Sequence, residues 1–206
     1  MTARETILAG IQRELGRPTS EPPSPPPVRL RIPEVARDRR IESMRERVAA
    51  LAGKPFHAHS RRDAIDYVNS VVNKRTWVGS NSPFLSELGF SSGITEKSEL
   101  RRLCATSAVG ITSADYALGD TGSLVMIAGP DETRLISLLP PIHIAVVPAN
   151  RILTGLDELY TLIPRPADRT SSMVFITGPS RTADIEQILV RGVHGPGEIH
   201  VVIVDE

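Results

Sequence analysis

The stretch SLLPPIHIAVV, residues 137–147, contains the segment that decides the fold. From Ile142 to Val147 it is apolar at almost every position, and it starts directly after Pro140-Pro141. A strand with one face in water alternates apolar and polar residues; a strand buried on both faces does not. Further short runs of the same kind lie at Val109–Ile111, Ser123–Ala128, Met173–Thr177 and Ile199–Val204, bounded by Gly, Pro, Asp and Ser. Helical segments lie between some of them, notably Thr154–Ile163. The alternation predicts an α/β protein of three α/β/α layers, with a mainly parallel sheet covered on both faces. In such sheets ligands bind beyond the carboxyl ends of the strands.

Upstream the pattern is helical. Residues 34–52 carry a stripe of Ile41, Met44, Val48 and Leu51, with arginines and glutamates on the solvated face. The arginines of 37–40 are interspersed with Asp38 and Glu42, which predicts surface salt links rather than a basic patch. A helix starting near Ser60, with Asp63 three residues on, buries Ala64, Val68 and Val71. Thr76–Gly79 reads as a short strand, Ser82-Pro83 as a helix start, and Lys97–Thr106 as a helix. The first sixteen residues form a short amphipathic helix through Ile7, Leu8, Ile11 and Leu15, stopped by Gly16 and Pro18. Pro22, Pro23, Pro25, Pro26 and Pro27 then make an extended linker. The expected division is residues 1–33 as helix and proline-rich arm, and 34–206 as the α/β domain.

Composition removes several classes of function. The 206 residues carry 24 Lys+Arg and 24 Asp+Glu, so bulk charge draws the chain to neither nucleic acid nor an anionic membrane. Cys104 is the one cysteine, which excludes an internal disulfide and a four-thiolate iron–sulfur cluster held by this chain alone. No run of 18 apolar residues occurs and the start lacks a signal peptide's apolar stretch, so no membrane span is expected and the expected location is cytoplasmic.

Three loops are dense in small polar residues: GITSADYALGDTGSLV (110–125), TGPSRTADIE (177–186) and GVHGPGEIH (192–200). Glycines let backbone N–H groups approach an anion, and Ser and Thr hydroxyls add donors. Arg181 can clamp a carboxylate or phosphate, and Asp115, Asp120, Asp184 and Glu186 are candidate acids or bases. Asp120-Thr121-Gly122-Ser123 spells the aspartic-protease signature, but that chemistry needs two such carboxylates and an all-β fold. His57 and His59 would share a strand face as a metal pair. They follow Lys54-Pro55 with no further ligand near in sequence, so they read as a surface loop and no metal is expected. His143 reads equally as a buried core histidine or a catalytic one, and Cys104 as a small core residue.

Taken together, the first loop, Arg134 with SLLPPIHIAVV, and the TGPSRTADIE…GVHGPGE pair resemble the lactate-utilisation protein C family, the LUD domain. The resemblance runs over about residues 100–206, with weaker agreement back to about residue 40. It implies a fold like the NagB/RpiA/CoA-transferase proteins and a part in oxidising L-lactate to pyruvate beside iron–sulfur partner proteins. The clusters then belong to the partners, with no cofactor bound by this chain alone. By motif, the positions carried over are Asp115, Asp120, Thr121, Gly122, Ser123, Arg134, His143, Gly178, Pro179, Ser180, Arg181, Thr182, Asp184, Glu186, His194 and Gly195. Ser123 stands where the family more often has Thr; both supply a hydroxyl.

The resulting expectation is that Arg181 or Arg134 binds the carboxylate of lactate or pyruvate, with the TG and TGPS backbone completing the cradle. Asp120 or Glu186, with Asp184 beside it, is the acid–base group. Two alternatives stay open: a stand-alone enzyme of the related fold acting on a sugar phosphate or acyl-coenzyme A, and a non-enzymatic scaffold. Homo-oligomerisation is left open as well.

Overall fold

The computed structural model describes residues 2–16, 35–129, 134–183, 189–192 and 194–205. The proline-rich segment, Asp184 and Glu186 lie outside the described residues. The elements in chain order are α1 (Ala3–Leu15), α2 (Arg37–Ala50), β1 (Lys54–Ala58), α3 (Arg61–Val72), β2 (Trp77–Gly79), α4 (Pro83–Glu87) and α5 (Lys97–Thr106). They continue with β3 (Val109–Ser113), β4 (Tyr116–Leu118), β5 (Ser123–Ile127), α6 (Arg134–Leu138), β6 (Ile142–Pro148), β7 (Ile152–Leu153) and α7 (Leu156–Leu162). Last come β8 (Met173–Ile176), β9 (Arg181–Ala183), β10 (Leu189–Arg191) and β11 (Glu198–Val204).

The chain divides into two compact units, Met1–Arg31 and Ile32–Glu206. In the first, α1 starts with a reciprocal capping box. Thr2 Oγ1 accepts from the Glu5 N–H at 3.3 Å, and the Glu5 carboxylate accepts from the Thr2 N–H at 2.7 Å. Gly16, at φ 59°, ends the helix in the left-handed conformation that glycine adopts without penalty.

In the second unit a five-stranded sheet runs β1-β11-β6-β3-β2, with every pairing parallel. β3, β6 and β11 lie in its middle, where continuous aliphatic runs are needed because both faces are covered. On one face Ala64, Val68 and Val72 of α3 and Leu85 of α4 pack over Val109, Ile111, Ile144, Val146, Val202 and Val204. On the other, Ile41, Met44 and Val48 of α2 meet Ala145, Val147, Val201 and Ile203.

The runs at 123 and 173 join a second sheet instead, ordered β7-β4-β5-β8, in which β5 pairs antiparallel with both β4 and β8. Leu124 and Met126 of β5 and Ile152 of β7 share the core with α2. Leu118, Val125 and Leu153 face the opposite way, against Leu159 of α7. The mainly parallel three-layer arrangement therefore holds, with this small sheet forming part of one covering layer.

Smaller differences from the sequence reading have local causes. Val72 rather than Val71 is the buried third position of α3. The His57 segment is a strand, not a surface loop: β1 is the sheet's edge, where Pro55 and its missing N–H are tolerated. Arg37 and Arg40 do form salt links, but to the distant Asp205 and Glu158 rather than to Asp38 and Glu42. Gly110 lets α6 lie directly on β3, since a Cβ there would stand 2.0 Å from the Ile136 carbonyl oxygen. Among the described residues no helix is long and apolar enough to cross a membrane.

Candidate functional site

At the carboxyl ends of β3 and β6 the chain leaves a recess of about 290 Å³ lined by Ser82, Phe84, Ser113, Asp115, Pro148 and Arg151, among others. Each comes from a position that the topology forces to this end. Ser113 closes β3 and Pro148 closes β6. Ser82 caps α4, its hydroxyl accepting from the Leu85 N–H at 3.3 Å. Asp115 sits in the turn between β3 and β4, where its Oδ2 accepts from the Ile127 N–H at 2.7 Å. Arg151 lies over the Tyr116 ring, 5.4 Å from its centroid, which holds the guanidinium at the rim.

Asp115 is half-buried. Burial pushes its pKa above the ordinary carboxylate value, against the bond from Ile127 and the charge of Arg151. A carboxyl group raised in this way, facing a concave site beside an arginine, is equipped to take or give a proton while the cation holds an anionic substrate. A larger cavity of about 470 Å³ flanks the same segment near Ser80, Asn81 and Lys97. It has no carboxylate or imidazole in its lining, whereas the smaller recess pairs the Asp115 carboxyl with the Arg151 guanidinium.

The structure does not bring the other expected residues into this recess. Asp120, Thr121 and Gly122 form the β4–β5 turn seated on α2, where Ser43 Oγ donates to the Gly119 carbonyl at 2.7 Å. Asp120 is exposed, and its Oδ2 stands 2.5 Å from where a Gly155 Cβ would be, so Gly155 makes room for it. Ser123 is buried and shares a hydrogen bond of 2.7 Å with Thr177. Arg134 opens α6, exposed, with its carbonyl accepting from Ser137 Oγ at 3.0 Å.

His143 is fully buried near the start of β6, with Nε2 2.8 Å from Thr112 Oγ1. Burial, with the neighbouring charge of His200, lowers its pKa to about 4. It is a neutral core histidine at the end of the strand away from the recess.

The TGPSR and GVHGPGE loops do come together, but at the amino ends of β6 and β11. The Ser180 N–H donates to the Pro196 carbonyl at 2.9 Å, the Gly192 N–H to Ser180 at 3.1 Å, and the Gly197 N–H to Pro141 at 3.1 Å. Gly178, at φ 91°, and Pro179 bring the chain over the end of α2, where the Arg181 guanidinium donates to the Leu51 carbonyl. Ser180 touches the place a Gly195 Cβ would take, at 3.4 Å, and His194 is exposed. Thr182 lies in β9, with its side chain outside the described residues. The three loops thus do not gather at one end of the parallel sheet: β8, which leads into the TGPSR loop, belongs to the second sheet.

Sequence reasoning passed over Arg151 and Ser82. The available signal was positional, because both follow closely on a strand's carboxyl end.

Fold and site together define a three-layer α/β protein with a half-buried carboxyl group and an arginine at the carboxyl edge of a parallel sheet. The LUD domain profile matches residues 41–204. The chain is 32% identical over 157 residues to lactate utilization protein C of Halalkalibacterium halodurans, covering 69% of this chain and 68% of that one. It is 38% identical over 110 residues to lactate utilization protein C of an Exiguobacterium species, covering 52% and 48%. The match thus spans about two thirds of the first relative's length and about half of the second's. A crystal structure of a DUF162 family protein from Deinococcus radiodurans superposes with a TM-score of 0.62 at 16% identity, over 83% of this chain and 99% of that one. That last likeness is one of fold. The chain belongs to the lactate-utilisation protein C family of LUD-domain proteins.

Proposed function

We propose that this chain is a component of an L-lactate oxidation system in which the recess between β3 and β6 holds the hydroxy acid. The names of its relatives support a part in lactate utilization. The observation that carries the site is Asp115, half-buried and raised in pKa, sharing the recess with Arg151. Arg151 binds the carboxylate of lactate, Ser82 and Ser113 offer hydroxyls to the substrate oxygens, and Asp115 accepts the proton of the alcohol. Oxidation of lactate to pyruvate releases two electrons and two protons. Asp115 takes the hydroxyl proton, the C2–H bond breaks with its proton released to solvent, and the two electrons pass to the iron–sulfur partner proteins. Arg181 remains a second candidate for carboxylate binding, but its guanidinium is engaged by Leu51, so Arg151 is the better-placed cation.

The test is reconstitution with the iron–sulfur partners and measurement of lactate-dependent electron transfer to an artificial acceptor. Asp115→Asn is expected to lower turnover by about 10²-fold or more, the range for loss of a general base. A normal rate in that variant removes Asp115 from the chemistry. A normal rate with Asp120→Asn and Arg181→Ala, together with a loss in Asp115→Asn, separates this recess from the other loops.

A further inference from the structure

A second constellation stands at the carboxyl ends of β1 and β11. His57 and His59 are two residues apart along an extended chain, so their side chains share one face, and their ring centroids are 4.4 Å apart. Parallel register pairs His57 with Ile203 and Ala58 with Val204. The Asp205 N–H then donates to the Ala58 carbonyl at 2.9 Å. The same alternation that places Ile203 beside His57 places Asp205 beside the two imidazoles. Its Oδ2 lies 3.1 Å from His57 Nε2 and 3.0 Å from His59 Nδ1. All three atoms fall within 4.8 Å of one another.

Hydrogen bonding accounts for this cluster incompletely. His57 Nε2 is buried and, despite its closeness to Asp205, has no hydrogen-bond partner of proper geometry. The two nitrogens converge on a single carboxylate oxygen, which asks both rings to point protons at one atom. A metal ion asks only that each ring turn a lone pair inward.

We propose that His57 Nε2, His59 Nδ1 and Asp205 Oδ2 form a binding site for a divalent first-row transition metal ion, with zinc as the reference case. Bonds of about 2.0–2.1 Å in tetrahedral array put ligand atoms about 3.3 Å apart, close to the two separations from Asp205. Two imidazoles and one carboxylate favour zinc, iron or cobalt over magnesium and calcium, which take oxygen ligands. Arg37 donates to the other oxygen, Asp205 Oδ1, at 3.1 Å, fixing the carboxylate as outer-shell partners do. The start of α2 forms the far wall of a recess of about 400 Å³, with Asp38 and Glu42 in its lining. A water or one of those carboxylates completes the coordination. The site stands on β1 and β11, apart from the β3–β6 recess, and does not depend on the lactate reading.

The test is calorimetric titration of the full-length chain with zinc chloride, and of the same chain with cobalt(II), whose visible spectrum reports coordination. One equivalent of zinc with a dissociation constant in the micromolar range or tighter is expected, with intense tetrahedral cobalt bands. His59→Ala and Asp205→Asn should each weaken zinc at least tenfold and remove those bands. The His59 side chain is 75% exposed, so its loss should leave the fold intact, and circular dichroism of both variants checks this. His194→Ala serves as the control and should bind as wild type. Absence of stoichiometric zinc binding by the wild-type chain, or equal binding by both variants, overturns the proposal.

Discussion

His143 Nε2 and Thr112 Oγ1 meet at 2.8 Å between adjacent central strands, with both residues fully buried. No water can replace either partner there, so the pair fixes β3 against β6 at the depth where mismatch is most costly.

That burial has a pH signature. His143 is held at about 4 in the folded chain, chiefly by desolvation, against about 6.5 when unfolded. Below pH 6.5 the unfolded chain takes up a proton that the native state refuses, so stability falls as pH drops from about 6.5 to 4. The loss from this residue is roughly 3 kcal/mol. Urea unfolding of wild type and His143→Gln at pH 7, 5.5 and 4.5 should show the difference between them narrowing toward low pH. A constant difference would contradict the assignment.

The amino end of the sheet carries a chain of polar groups. Tyr67 Oη is 2.8 Å from His200 Nδ1, His200 Nε2 is 2.6 Å from Glu198, and Lys54 Nζ is 2.7 Å from the same carboxylate oxygen. Tyr67→Phe leaves a buried imidazole nitrogen unpaired and should cost about 1–2 kcal/mol in chemical denaturation.

Gly122 closes the β4–β5 turn at φ 71°, and a Cβ there would come within 2.7 Å of Arg47 Cβ and 3.0 Å of the Val48 nitrogen. Gly122→Ala therefore meets both an unfavourable backbone conformation and a collision with α2. We expect a loss of about 3 kcal/mol, read as a lowered Tm.

Asp115 separates stability from activity. Because burial raises its folded pKa, ionising the group opposes folding, a cost that sets in as pH rises through the unfolded value and is complete above the folded one. Asp115→Asn keeps an acceptor for the Ile127 N–H and should not lower Tm at pH 7, while turnover with lactate falls. In the wild type, kcat/KM should rise with pH through a limb lying above the ordinary carboxylate range. A Tm loss comparable to that of Gly122→Ala would make Asp115 structural instead.

What the sequence revealed followed from local rules. The runs at 109, 142 and 199 are aliphatic at nearly every position and lie in the parallel sheet, as that texture requires. The runs at 123 and 173 share the texture yet pair antiparallel, because burial on two faces dictates apolar residues without dictating strand direction. The small-polar loop through Gly119–Gly122 was visible, but its seat on α2 was not. His57 and His59 were seen as a pair, yet their third neighbour, Asp205, lies 146 residues beyond His59, and only strand register brings it there. Asp115 was legible as a carboxylate in a loop; Arg151 became its partner only when β3 and β6 were placed side by side.

The most direct test of the lactate site is L-lactate binding to the purified chain, followed by thermal shift and calorimetry in wild type, Arg151→Ala and Asp120→Asn. At about a hundred times Kd, a bound ligand adds roughly 2.7 kcal/mol of stability, a plain rise in Tm. The account predicts that rise in wild type and Asp120→Asn, and its loss in Arg151→Ala. No shift in wild type, or an undiminished shift in Arg151→Ala, would contradict it.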